Sequence, residues 1–325
     1  MYLLHLIKLE TTIIISQIII LAIVVLIGAI AAKFKVITQE SKDMLSKVIF
    51  NISLPLMLFT NFLKLDATPR LLANSLVVLA ISGTVILFML FVGWLTARLF
   101  KITGREAAVF KAHSMFGNII FLGFPLIYAL YGSEGMLYAS MFQLIANIIM
   151  WTVGVVVLTY GNGVSWKKSI LKVFNINTIA TVTGFLFFIF SIKLPEIIVT
   201  PFSALGAANT WLSMLYIGAM LAFSSVGGLL RKKSLYIISF NRLILIPALL
   251  IAGFVLFASV FGLAPDKLVA SVIILEVAMP CMASVVIMAK ELGADDHLAV
   301  GNVFVSTIIS IVTLPIVLMA INRYL

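Results

Sequence analysis

Apolar runs of membrane length, joined by short connections, constrain this chain more than any other feature. Ten of them follow one another, over 12–32, 44–63, 71–97, 107–130, 135–160, 174–192, 204–229, 235–261, 268–290 and 297–321. A helix needs about 20 mostly apolar residues to cross a bilayer. The connections leave no space for a soluble domain, so residues 1–325 read as one membrane domain. Composition agrees: 63% of residues are hydrophobic, 10% are charged and the mean hydropathy is +1.22, whereas a soluble chain carries about 25% charged residues. "AIAA" at 29–32 resembles a signal-peptidase site, but the apolar stretch before it exceeds a signal peptide's core of roughly 7–15 residues. The first run is therefore read as a retained span.

The net charge of +10 does not point to nucleic acid, because the basic residues fall in short clusters between the runs. With the N-terminus outside, fifteen of the 22 lysines and arginines lie on one face and six on the other, Arg242 standing inside a span. That bias assigns the first face to the cytoplasm. Both termini are then outside, in a multi-pass protein of the cell (inner) membrane. Cys281 is the single cysteine, which leaves no internal disulfide and no cysteine-based metal site. No metal and no cofactor are expected.

Ten spans divide into two sets of five, about 12–160 and 174–321, and an odd set forces the second copy to be inverted. A shift of 161 positions puts Gly132 on Gly293, Leu137 on Leu298, and the Gly117–Asn118 pair on Ala278–Met279, beside Pro280. The fourth and ninth runs are thus interrupted at matching depth. Paired interrupted segments in two halves are the best sequence pointer to a transporter site. In the fourth, "VFKAHSMFGNIIFLGFPLIYALYG", the interruption comprises Gly117, Asn118, Gly123 and Pro125. Asn118 lies about 12 residues from the cytoplasmic end, roughly 18 Å deep. Non-helical backbone at that depth survives only inside protein or beside a cavity, although a simple Gly/Pro kink is the alternative.

The ninth run, "SVIILEVAMPCMASVVIMAK", holds Glu276 one turn before Pro280. Carbonyls freed before the proline and amides freed after it can face a ligand, and half-helix N-termini favour anions. Such a crossing suits a carboxylate without a dedicated arginine. Met279, Pro280 and Cys281 join Gly117 and Asn118 as candidate substrate-binding residues. Glu276 is either a protonatable coupling group or a cation ligand in the pocket, or else an acid held neutral by burial or paired with a basic group such as Arg242, Lys111 or His113. His113 is likewise a candidate coupling residue or a structural histidine. In the second run, "SKVIFNISLPLMLFTNFLK", Pro55 follows Asn51, and this helix either kinks or lines the substrate path. The seventh carries Asn209, Ser213 and Gly218.

"ISLPLMLF", "FGNIIFLGFPLIYALYG", "LEVAMPCMASVVIMAKELG" and "VSTIISIVTLPIVL" together resemble the auxin efflux carrier family over essentially the whole chain. They look most like its bacterial members, which include malonate and other organic-acid carriers. The resemblance, extended to the related fold of bile acid–sodium symporters, implies an all-α integral membrane protein of two inverted five-helix repeats. The first, second, sixth and seventh spans would form a dimerising scaffold, and the others a transport unit with the fourth and ninth crossing. Asn118 in "FGN" matches the crossover asparagine that contacts the substrate carboxylate in the plant carriers, and Pro280 matches the ninth-span proline. The plant proteins' long cytoplasmic loop is absent; the central loop here is about 13 residues, so regulation through it is not expected.

The leading reading is a secondary transporter of a small organic anion, working by elevator-like displacement with or without proton coupling, and dimerising in the bilayer. A sodium-coupled symporter, a passive channel and a sensor with a transporter fold are alternatives. Channels favour rings of like charge or a repeated small-residue lining, and neither is present in the sequence. An enzyme would need a nucleophile–base set or metal motif, and none is found.

Overall fold

The computed structural model describes residues 2–159, 171, 173–223, 227–262 and 266–325. The basic loop around 161–173, the last residue of the fifth run and residues 224–226 of the seventh lie almost entirely outside these. Among the described residues every regular element is helical. Within the described residues, six helical stretches are long and apolar enough to cross a membrane: Gln39–Leu63, Pro69–Leu99, Ile119–Thr159, Glu196–Phe223, Lys233–Val260 and Asp296–Tyr324.

The helices separate into two compact units. One comprises Met1–Val77, Ile120–Leu144 and Phe174–Ser224, and the other Val78–Ile119, Ile145–Val173 and Ser225–Leu325. The first unit holds α1 (Tyr2–Lys33), α2 (Gln39–Val48), α3 (Leu54–Leu63), α8 (Ile176–Ile189) and α9 (Glu196–Phe223). Two helices run from one unit into the other, α4 (Pro69–Leu99) and α6 (Phe124–Ile149). The second unit contains α5 (Gly104–Met115), α7 (Val155–Thr159), α10 (Lys233–Phe240), α11 (Ile246–Phe261), α12 (Lys267–Ala278), α13 (Ser284–Leu292) and α14 (Asp296–Tyr324).

In the first unit α1 packs along α9. A Cβ on Gly28 would strike the Leu215 carbonyl, and one on Gly218 would strike that of Val25. Small residues let backbones meet where lipid offers no hydrophobic drive. Gly218 of the seventh run is thus taken up by a contact within the chain. The α9 helix also begins eight residues before the expected 204, with Pro201 inside it. Its apolar window marked only the stretch free of Glu196 and Pro201.

The connection between the fourth and fifth runs shrinks to a single non-helical residue, Gly132 (φ 59, ψ −146). That left-handed backbone suits glycine. Three of the four π-helical turns among the described residues have a common cause. Ile49–Ser53, Ile119–Gly123 and Asn241–Leu245 each end two residues before a proline, Pro55, Pro125 and Pro247. A proline has no N–H to donate and its ring crowds the carbonyl four residues back. A turn widened by one residue accommodates both effects.

The second unit is organised around α12, in which ten successive residues, Val269–Ala278, are buried. A helix apolar all round belongs in the interior. α11 and α14 pack against it. Asp266 and Asp295 cap the N-termini of α12 and α14 by accepting from Leu268 N and Leu298 N, satisfying donors that a helix start leaves unpaired.

Candidate functional site

The two interrupted runs meet within the second unit. α5 stops at Met115 and the chain turns extended at Phe116 (φ −112, ψ 119). α12 stops at Ala278 and is extended at Met279 (φ −62, ψ 143). The extended pieces pair in antiparallel fashion at Gly117 and Cys281. Asn118 N donates to Pro280 O at 2.7 Å, and Met282 N donates to Phe116 O at 3.2 Å. Ser306 of α14 completes the crossing: its hydroxyl accepts from Cys281 N at 3.0 Å and donates to Asn302 O at 2.6 Å.

These bonds correct one expectation. The sequence reads the backbone groups freed around Pro280 as able to face a ligand; the crossing uses Pro280 O, Cys281 N and Met282 N on itself. Orphaned backbone in a membrane interior is costly, so the two breaks serve each other.

Arg242 departs from a second expectation. It is 1% exposed and lies in the π-helical turn ahead of Pro247. Its Nε donates to Met279 O at 2.6 Å, and its Nη1 donates to Ser114 O at 2.8 Å and His113 O at 3.1 Å. One guanidinium thereby caps the C-terminal ends of both interrupted helices, where carbonyls lack partners and a positive charge is favoured. The sequence alone suggested Arg242 as an ion-pair partner for Glu276, and a crossing with no arginine of its own. The structure puts the arginine at the crossing, and no salt bridge joins it to Glu276. Gly117 makes room for it, since a Cβ there would fall on the guanidinium and come within 3.0 Å of Met279 Cβ.

Three predicted residues have distinct surroundings. Asn118 is 2% exposed, and its amide nitrogen has no hydrogen-bond partner. Glu276 is fully buried, and neither carboxyl oxygen has a hydrogen-bond partner. His113 uses both ring nitrogens: Nδ1 accepts from the Asn302 amide at 3.0 Å, which leaves Nε2 to donate to Met282 O at 3.3 Å. Its ring ties α5 to α14 and to the ninth-run break, a positioning arrangement. Cys281 is buried with a free thiol. No group of three potential metal ligands occurs among the described residues.

Asn51 and Pro55 are not part of this cluster; they belong to the first unit. Asn51 is exposed, and its amide donates to Lys47 O of its own helix at 2.9 Å. Pro55 is buried at the start of α3. A further polar pair there, missed in sequence, is Ser53 donating to the Asn209 side-chain oxygen at 3.1 Å. Sequence reasoning also missed Ser306, Asn302 and Asn241, whose amide donates to Ser114 Oγ at 3.3 Å. The available signal was Arg242 itself, an arginine inside an apolar run five residues before a proline.

A crossing of this kind offers a buried positive charge, an unpaired amide donor and an unpaired carboxyl within one fold unit. Comparison with known proteins gives these features a context. The membrane transport protein family model matches residues 13–169 and again residues 162–318. An uncharacterized transporter of Methanothermobacter thermautotrophicus is 26% identical over 295 residues, covering 90% of this chain and 94% of its own. An uncharacterized transporter of Methanocaldococcus jannaschii is 25% identical over 315 residues, covering 92% and 96%. Family and relatives alike are named for transport rather than catalysis, which implies a small-molecule substrate and a lipid setting. With its apolar helices and a match to nearly its whole length, the chain is a multi-pass membrane protein of the auxin efflux carrier-like membrane transport family.

Proposed function

We propose that the protein is a secondary transporter of a small organic anion, a carboxylate, and that Asn118 contacts it. The observation that carries this reading is the Asn118 amide nitrogen, buried without an acceptor and one residue from the glycine against which the Arg242 guanidinium lies. A buried donor without a partner costs about 1–3 kcal/mol. A ligand carboxylate would relieve that cost and would be drawn by the nearby positive charge.

In this proposal ten spans form two inverted repeats, about 12–160 and 174–321, with both termini outside the cell membrane. The unit bearing the crossing is displaced, elevator-like, during transport. Glu276 takes up and releases a proton in the cycle, because a buried carboxyl without donors responds to any change in nearby charge. Two copies associate in the bilayer.

Proteoliposome counterflow with radiolabelled malonate as the probe, within a panel of mono- and dicarboxylates, tests the reading. Asn118→Ala should lose most uptake while its melting midpoint stays near that of the wild type, since the side-chain nitrogen removed has no protein partner. Wild-type uptake by folded Asn118→Ala would overturn the assignment. For Glu276, the Glu276→Gln protein should exchange substrate but lose pH-driven accumulation; unchanged accumulation would remove the coupling role.

A further inference from the structure

We infer that Arg242 is a tethered cation: its guanidinium fills a cage of main-chain carbonyls that would otherwise hold a free monovalent cation, and removing it uncovers a cation site. Three oxygens converge on the group, Met279 O, Ser114 O and His113 O, at 2.6, 2.8 and 3.1 Å. They come from the ends of two different interrupted helices. Unwound carbonyls and half-helix C-termini are the groups that coordinate sodium in secondary transporters, and oxygen is the ligand such hard cations take.

The charge balance has the same character. Among the described residues, no carboxylate lies within ion-pair distance of the guanidinium. Glu276 is buried in the same unit, on the helix whose end presents Met279 O to the guanidinium. The positive charge is thus held by oriented dipoles with one carboxyl at a remove, as a bound ion would be, rather than by direct pairing. The residues around it fit a permanent occupant. Gly117 leaves the required volume, the widened turn ahead of Pro247 carries the side chain, and Asn241 beside it is anchored to Ser114. An ion supplied by the chain cannot dissociate, so the crossing needs no sodium to hold its two helix ends together.

The test reads stability and needs no substrate, so its failure and the failure of the anion-transport reading are separate outcomes. Full-length Arg242→Ala protein in detergent is melted in choline chloride, then at equal ionic strength with sodium or guanidinium chloride at about 20 mM, where guanidinium's denaturing action is small. In choline the variant should melt below wild type. Sodium or guanidinium should raise its midpoint saturably, by about 4 °C or more, through binding to the folded form, while wild type moves by less than about 1 °C. Indifference of Arg242→Ala to both cations, or an equal shift in wild type, would overturn the inference. If Arg242→Ala does not fold, Arg242→Lys and Arg242→Met decide the matter. A folded Lys variant beside an unfolded or much less stable Met variant supports a cation cage. A Met variant as stable as the Lys variant, or failure of both, counts against it.

Discussion

Pro55 and Pro280 interrupt two apolar helices of this protein in opposite ways. Ahead of Pro55 the chain widens into the Ile49–Ser53 turn and resumes as α3 without leaving the helical path. Its own side chains serve the local carbonyls, Asn51 donating to Lys47 O and the Ser53 hydroxyl lying within reach of Ile49 O. Before Pro280 there is no widened turn. α12 ends at Ala278, the backbone extends, and its carbonyls are taken by Asn118 N and Arg242. A proline removes one donor in either setting. Whether the helix heals or opens depends on what the rest of the fold supplies. At Pro280 another broken strand of chain, a guanidinium and a serine hydroxyl all stand ready.

Among substitutions that keep the guanidinium, the most damaging should be Gly117→Ala. Its methyl would displace the guanidinium that holds both helix ends, at a cost of about 3 kcal/mol from overpacking and lost bonds. Gly253→Ala, in α11 with nothing within 4 Å of the added carbon, is the matched control and should melt at or above the wild-type temperature. Equal melting of the two variants would break the claim that the open crossing depends on this packing.

Ser306→Ala should come next. It strips the buried Cys281 N–H of its acceptor, and an orphaned buried donor costs about 1–3 kcal/mol. Thermal melting is the direct measure, and amide exchange at Cys281 should quicken as well. A variant as stable as wild type would mean the break at Pro280 does not rely on α14.

The smallest effect is expected for Pro55→Ala, within about 1 kcal/mol in either direction. The widened turn already satisfies the local backbone, and what changes is chiefly unfolded-state freedom. Collapse of this variant to the level of Gly117→Ala would erase the distinction between a healed and an open break.

Much of the crossing was legible in the residues. Gly117, Asn118 and Pro280 stand out because glycine, asparagine and proline are costly inside an apolar run, and two such runs share the feature. The partner of Arg242 was not legible. A charge inside a span announces that it must be neutralised or hydrogen-bonded, and Glu276 was the obvious opposite charge. Main-chain carbonyls are present at every residue, so no sequence pattern marks the three that accept from it. Gly218 is ambiguous in sequence for a related reason: a small residue shows that something approaches closely, without showing that it is α1.

Taken alone, then, the sequence determined the solvent, the helical class, the positions of the breaks and the family. Those follow from the cost of polar groups in hydrocarbon, which is paid residue by residue and is therefore written in composition and spacing. Packing of the helices settles the rest: which freed backbone groups satisfy one another, that Arg242 caps two helices, that His113 is tied at both nitrogens, and that Asn118 and Glu276 keep polar atoms unpaired. Hydrogen bonds between residues 25 to 189 positions apart depend on where helices cross, and crossing is settled by packing.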